Sequence, residues 1–187
     1  MNITAIKRGF VFQFIDAVNS KGEFDKTASS GGILLQGTFD DSAKQPRWVK
    51  VISAGSDCKE IKKGDQVMLP ALRWTPASTL DGEKIWKSDE SEAALVSDEY
   101  GVRAIASYVI FKPIKPEVKK QSGLLIVVGN NTDTPRGEVH AVGPDADQDL
   151  VDSFIYYNDT NFFETFTSAG VEYAFIKEEN ILAYEPK

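Results

Sequence analysis

Gly123-Leu124-Leu125-Ile126-Val127-Val128-Gly129, a polar loop, and then Pro135-Arg136-Gly137-Glu138-Val139-His140-Ala141-Val142-Gly143 form the stretch that decides the fold. Both pieces are short apolar runs rich in β-branched residues and framed by glycine, which is the signature of strands and turns. The first half of the chain repeats the arrangement. Gly31-Gly32-Ile33-Leu34-Leu35-Gln36-Gly37 is followed by a polar loop and by a strand from Trp48 to Ala54-Gly55.

Other short runs along the chain have the same character. Phe10 to Ile15, Gln66 to Leu69, Tyr108 to Phe111, Phe154 to Tyr157 and Tyr173 to Ile176 are separated by Gly, Pro, Asp and Asn. No stretch keeps the i, i+3, i+4, i+7 spacing of an amphipathic helix over several turns. The best helical candidate is Ser88 to Val96, with Ser88 as N-cap. The fold class is therefore mostly β, built as barrels or a sandwich.

The two halves share an ordered set of features. Phe10-Val11-Phe12 matches Val109-Ile110-Phe111, and each is followed by a polar, Lys- and Ser-bearing stretch. Asp65, at the entry of one strand, is matched with Asp152. Leu95-Val96 with its following acidic residues is matched with Phe175-Ile176-Lys177-Glu178-Glu179. The spacing varies, which places length differences in loops, where they cost little. The expected organisation is a first module over residues 1–104 and a second over 105–187. Polar loops are expected at about 18–46 and 115–136, and an insertion at about 71–94.

Charge and composition narrow the function. The chain has 187 residues, 42% hydrophobic and 26% charged, with a net charge of −7. That balance disfavours nucleic acid, whose phosphates it would repel, and the only basic clusters are doublets such as Lys62-Lys63 and Lys119-Lys120. No apolar run approaches the roughly 20 residues of a membrane span, and no signal peptide is visible at Met1-Asn2-Ile3-Thr4. A single cysteine, Cys58, excludes an intrachain disulfide and fits a reducing compartment.

The chemistry of catalysis is thinly supplied. His140 is the one histidine and lies in an expected strand; Cys58 reads as a loop thiol. One His and one Cys do not make a usual zinc site. The acidic runs Asp89-Glu90-Ser91-Glu92 and Asp145 to Asp149 lack the EF-hand pattern and read as solvated loops. No phosphate-cradling glycine motif occurs. No enzyme activity, cofactor or metal is expected.

The order of these features resembles the GroES-type co-chaperonin (chaperonin-10) family. Lys120 to Gly129 with Pro135 to Gly143 is similar to that family's mobile loop and following strand, and Phe175 to Tyr184 to its C-terminal strands. The resemblance implies two tandem, small, irregular β-barrels with flexible mobile loops. It implies a GroEL-type chaperonin in its ATP-bound state as partner, self-association into a ring-like homo-oligomer, and a cytoplasmic location. The chaperonin-binding residues it implies are Gly31, Gly32, Ile33, Leu34 and Leu35 in the first loop, and Leu125, Ile126 and Val127 in the second. The short connections after Gly55 and Gly143 imply a reduced roof, as in phage-encoded members. A structural β-protein, such as a virion or tail spacer built of tandem barrels, is the alternative; it would need no mobile loop.

Overall fold

The computed structural model describes residues 3–15, 46–99, 101–114, 117–121, 124–128, 134–158, 163–168 and 170–187. The chain divides into two compact units, Met1–Ala106 and Ser107–Lys187. Both are mostly β, as their composition of short β-branched and aromatic runs dictates. Among the described residues the only helical pieces are single 3-10 turns.

The first unit holds seven strands: β1 (Gly9–Phe14), β2 (Arg47–Ala54), β3 (Gln66–Leu69), β4 (Ser78–Leu80), β5 (Glu83–Asp89), β6 (Leu95–Asp98) and β7 (Gly101–Ala104). They form one sheet in the order β4-β5-β1-β2-β3-β6-β7. Alternation decides which side chains turn inward. On β2, Val49, Val51 and Ser53 are buried while Lys50 faces out. Phe10, Phe12, Val67, Leu69, Val96 and Ile105 join Val49 and Val51 in the core.

The second unit holds β8 (Tyr108–Pro113), β9 (Glu117–Gln121), β10 (Leu124–Val128), β11 (Arg136–Val142), β12 (Ser153–Tyr157), β13 (Phe163–Ser168), β14 (Val171–Lys177) and β15 (Ile181–Pro186). Six of them form a sheet in the order β13-β14-β8-β11-β12-β15, and β9 and β10 pair separately as a hairpin. Val109, Phe111, Val139, Ile155, Tyr157 and Ile176 centre its core.

The two sheets are one topology used twice. β4-β5-β1-β2-β3-β6 corresponds strand for strand to β13-β14-β8-β11-β12-β15. The irregularities coincide as well. The β1–β2 register slips so that Ile52 is left over, and the β8–β11 register slips so that His140 is left over. Lys7 and Ala106, 99 positions apart, both have left-handed backbone, at φ 54 and 49. Gly55 N–H donates to Gly9 O (2.9 Å) just as Gly143 N–H donates to Tyr108 O (2.8 Å). Gly9 to Tyr108 is a step of 99, whereas Gly55 to Gly143 is a step of 88. The whole difference therefore lies in the loop between the first and second strands of each unit.

The structure corrects three expectations. Ser88 to Val96 is not a helix: β5 ends at Asp89, Glu90–Glu92 makes one 3-10 turn, and β6 begins at Leu95. Sheet pairing claims the backbone there, with Glu90 N–H donating to Arg8 O (3.0 Å) and Ala94 N–H to Met68 O (3.0 Å). Next, Asp152 (φ 57) corresponds to Gly64 (φ 98), each in left-handed backbone before its strand, rather than to Asp65. Finally, residues 71–94 are not an insertion. They supply β4 and β5, the counterparts of β13 and β14, so Glu178 matches Glu90 and β6 matches β15.

Two glycines are fixed by close approach. A Cβ on Gly55 would lie 2.0 Å from Lys7 O, and one on Gly137 would lie 2.2 Å from Cδ2 of Phe111. The small–Gly strand ending seen in the sequence thus exists because the Lys7 turn lies directly against it.

Candidate functional site

Each unit sends out one long connection from the same place. In the first it leaves after Ile15 and returns at Trp48; in the second it leaves after Ile114 and returns at Arg136. The necks are closed by equivalent bonds: Ile15 N–H to Trp48 O (3.2 Å) and Ile114 N–H to Arg136 O (3.0 Å). The neck residues Ile15 and Ile114 are themselves exposed aliphatics. Each connection is therefore anchored on a packed sheet and free of the core at its base.

Gly31, Gly32, Ile33, Leu34 and Leu35 lie in the first connection and outside the described residues. Leu125, Ile126 and Val127 lie on β10, opposite Lys120, Lys119 and Val118 of β9. That hairpin is not part of the six-stranded sheet. The five-residue aliphatic run is thus a strand, but not a core strand of the main sheet.

A second feature concerns sheet edges. In the first unit β7 pairs with β6 from Leu95↔Ala104 to Asp98↔Gly101. Ile105 follows with its N–H on Ala94 O (3.1 Å) and its side chain fully buried in the core. In the second unit β15, the counterpart of β6, is an edge strand, and Leu182 and Tyr184 on it are 55% and 43% exposed. Residues 2–6, Asn-Ile-Thr-Ala-Ile, stand where Gly-Val-Arg-Ala-Ile stands at 101–105. Ile6 is the counterpart of buried Ile105, yet it is 72% exposed. Sequence reading missed Ile6 and Tyr184 because a lone exposed apolar side chain carries no signal until its buried counterpart is known.

The loop after each small–Gly ending is held by a carboxylate. Glu90, 2% exposed, accepts from the N–H groups of Lys59 (2.9 Å), Glu60 (2.7 Å) and Ile61 (3.1 Å), with Arg8 3.5 Å away. Its counterpart Glu178 accepts from Asp147 N–H (3.0 Å). The acidic run at Asp89 is thus not a wholly solvated loop. Residues 55–65 and 143–152 form turns with no strand, so neither connection builds a roof hairpin.

Cys58 is a partly buried free thiol. Burial pushes the Cys58 thiol up, reinforced by the Glu90 and Asp89 carboxylates and only partly offset by a Gly55 backbone bond. A raised thiol is a poor nucleophile at neutral pH. His140 is exposed at the β11 bulge, its ring 4.8 Å from that of Tyr173. Among the described residues, no group of three or more His, Cys, Asp or Glu is arranged to hold a metal, and no helix is long and apolar enough to cross a membrane.

Residues 101–185 match the sequence model of the family described as Chaperonin 10 Kd subunit. No curated protein matches the chain. The matched span takes in the second unit almost entire. It also begins with β7, six residues ahead of that unit's start at Ser107. The match thus runs across the segment that completes the first unit's sheet. A chaperonin-10 domain, with its co-chaperonin role and chaperonin partner, is the function class this supports.

Proposed function

We propose that this chain is a co-chaperonin that caps a GroEL-type chaperonin ring during its ATP cycle and encloses the folding client. The observation that carries the reading is the family match over 101–185 together with the repetition of that unit's strand topology in residues 1–106. Binding runs through the aliphatic tripeptides Ile33-Leu34-Leu35 and Leu125-Ile126-Val127, on connections that leave both units through equivalent necks.

The energetics suit a cap that must leave again. Burying three aliphatic side chains yields about 1.5–3 kcal/mol each. Ordering a loop offsets about 2–5 kcal/mol of that. Single loops are weak, and several on one assembly gain roughly 10²–10⁴ through effective concentration.

Self-association uses the open edge. β7 and Ile105 complete the first unit, and residues 3–6 with exposed Ile6 are the equivalent donor, left for β15 of another chain. Repeated head to tail, this heterologous contact closes into a ring.

Size-exclusion chromatography with a GroEL-type chaperonin tests the reading. Co-elution that requires ATP or a transition-state mimic is expected. Failure to co-elute with any chaperonin, including that of the native host, contradicts it.

A further inference from the structure

Residues 3–6, Ile-Thr-Ala-Ile, and 102–105, Val-Arg-Ala-Ile, are two donors of similar sequence, and β6 and β15 are two acceptors of the same topology. Something must decide which donor takes which acceptor, because an exchanged pairing would scramble the assembly. Backbone pairing alone does not discriminate, since any strand satisfies an open edge.

Over these four positions the donors differ twice: Ile3 against Val102, both aliphatic, and Thr4 against Arg103, where a charge is gained. Arg103 stands where the N-terminal segment has Thr4. Its guanidinium reaches from β7 to three acceptors. Nη1 donates to Glu60 Oε2, Nη2 to Glu60 O (2.7 Å), and Nε lies 3.5 Å from Asp98 Oδ2. Asp98 ends β6, and Glu60 belongs to the loop pinned by Glu90. The acceptor positions differ in parallel. Gln148 stands in the second unit for Glu60, and Pro186 stands for Asp98. The second unit therefore has neither carboxylate with which to hold an arginine, and the N-terminal donor has no arginine to offer.

We propose that the Arg103–Glu60–Asp98 clasp is a specificity device that commits β7 to β6 within the chain. It closes β6 against the N-terminal segment of other copies and leaves β15 as the open one of these two acceptors. A planar guanidinium that satisfies a carboxylate and a carbonyl from one loop fixes position as well as sign. A threonine arriving in its place brings no guanidinium to Glu60 or Asp98. The inference rests on the edge pairing proposed above and adds which side chains enforce it.

Cross-strand cysteines test it in the full-length chain with Cys58 replaced by serine. Ser97 and Val102 face each other in the β6–β7 ladder, so Ile3 is expected to face Glu185 between chains and would face Ser97 only in an exchanged pairing. Differently tagged chains carrying single cysteines are coexpressed and oxidised, and only cross-tag disulfides are counted. Ile3→Cys with Glu185→Cys is expected to link, and Ile3→Cys with Ser97→Cys is expected to stay at background. Adding Arg103→Thr should raise the Ile3–Ser97 product on the order of tenfold, as loss of a charge-assisted hydrogen-bond set implies. Should that variant fail to fold, Glu60→Gln with Asp98→Asn removes the same contacts from the other side.

Absence of the Ile3–Glu185 link defeats the edge-pairing reading itself. With that link present, an Ile3–Ser97 link in the arginine-bearing chain overturns the clasp. So does an Ile3–Ser97 yield that neither clasp variant raises.

Discussion

Glu90 and Glu178 occupy the same position in the two units, and each turns its carboxylate back onto the backbone of the loop after the small–Gly strand ending. They carry unequal loads. Glu90 is buried and satisfies three N–H groups, whereas Glu178 accepts one exposed N–H. Glu90→Ala leaves one buried and two part-buried N–H donors unpaired and should destabilise its unit by about 3 kcal/mol. Glu178→Ala should destabilise by about 0.5–1.5 kcal/mol. Urea unfolding of both variants checks the order, and equal losses would contradict it.

Gly55→Ala places a methyl 2.0 Å from Lys7 O, a backbone atom that cannot swing away. The Lys7 turn must shift and take residues 3–6 with it. A loss of about 1–3 kcal/mol is expected, typical of overpacking. Thermal melts measure this, and an unchanged Tm would show that the turn is loose.

Trp86 on β5 packs against Phe12 (centroids 6.5 Å) and Phe14 (4.8 Å), and Phe14 also meets Trp74 edge-on at 5.1 Å. This cluster makes residues 71–94 part of the first core. Trp86→Ala should cost about 3–5 kcal/mol. Excision of 71–94 should unfold the first unit, as near-UV dichroism would report. A folded excision variant would reinstate that segment as a dispensable insertion.

Lys187 Nζ lies 2.6 Å from Glu138 Oε1. That hydrogen bond, and then the ammonium charge, hold the Glu138 carboxyl below its ordinary value. A carboxylate held low in the folded state adds stability above its unfolded pKa. The contribution is lost as pH falls through the folded value. In Lys187→Gln the Glu138 titration should move back up, read by carboxyl-carbon NMR. An unmoved titration would show the pair does not persist in solution.

Most of the fold was legible because each strand is a short apolar run and the two units repeat them in order. Where legibility failed, the cause was physical. β4, Ser78-Thr79-Leu80, is short and polar, and β5 has only Ile85 and Trp86 as apolar residues against the richer Tyr173 to Ile176 of β14. Their equivalence rests on pairing with β1 and β8, which is long-range. Glu90 reads as one more acid in an acidic run, since its burial is set by a loop some thirty residues earlier in the chain. β7 reads as a junction because its partner, β6, decides that it is a strand. In the candidate site, the glycine-framed aliphatic runs were legible as a repeated motif. The exposed Ile6 and the β15 edge needed the structure, because their meaning lies in the contrast with buried Ile105 and β7.

The docking proposed for this chain on a chaperonin ring runs through its aliphatic loop tripeptides. Four chains test it most directly by ATP-dependent co-elution with a GroEL-type chaperonin. They are the native sequence, Ile33/Leu34/Leu35→Ser, Leu125/Ile126/Val127→Ser, and the two combined. Binding by the native chain, weakening in each triple variant and loss in the combination are expected, with native-like dichroism throughout. Undiminished co-elution of the combined variant would contradict it.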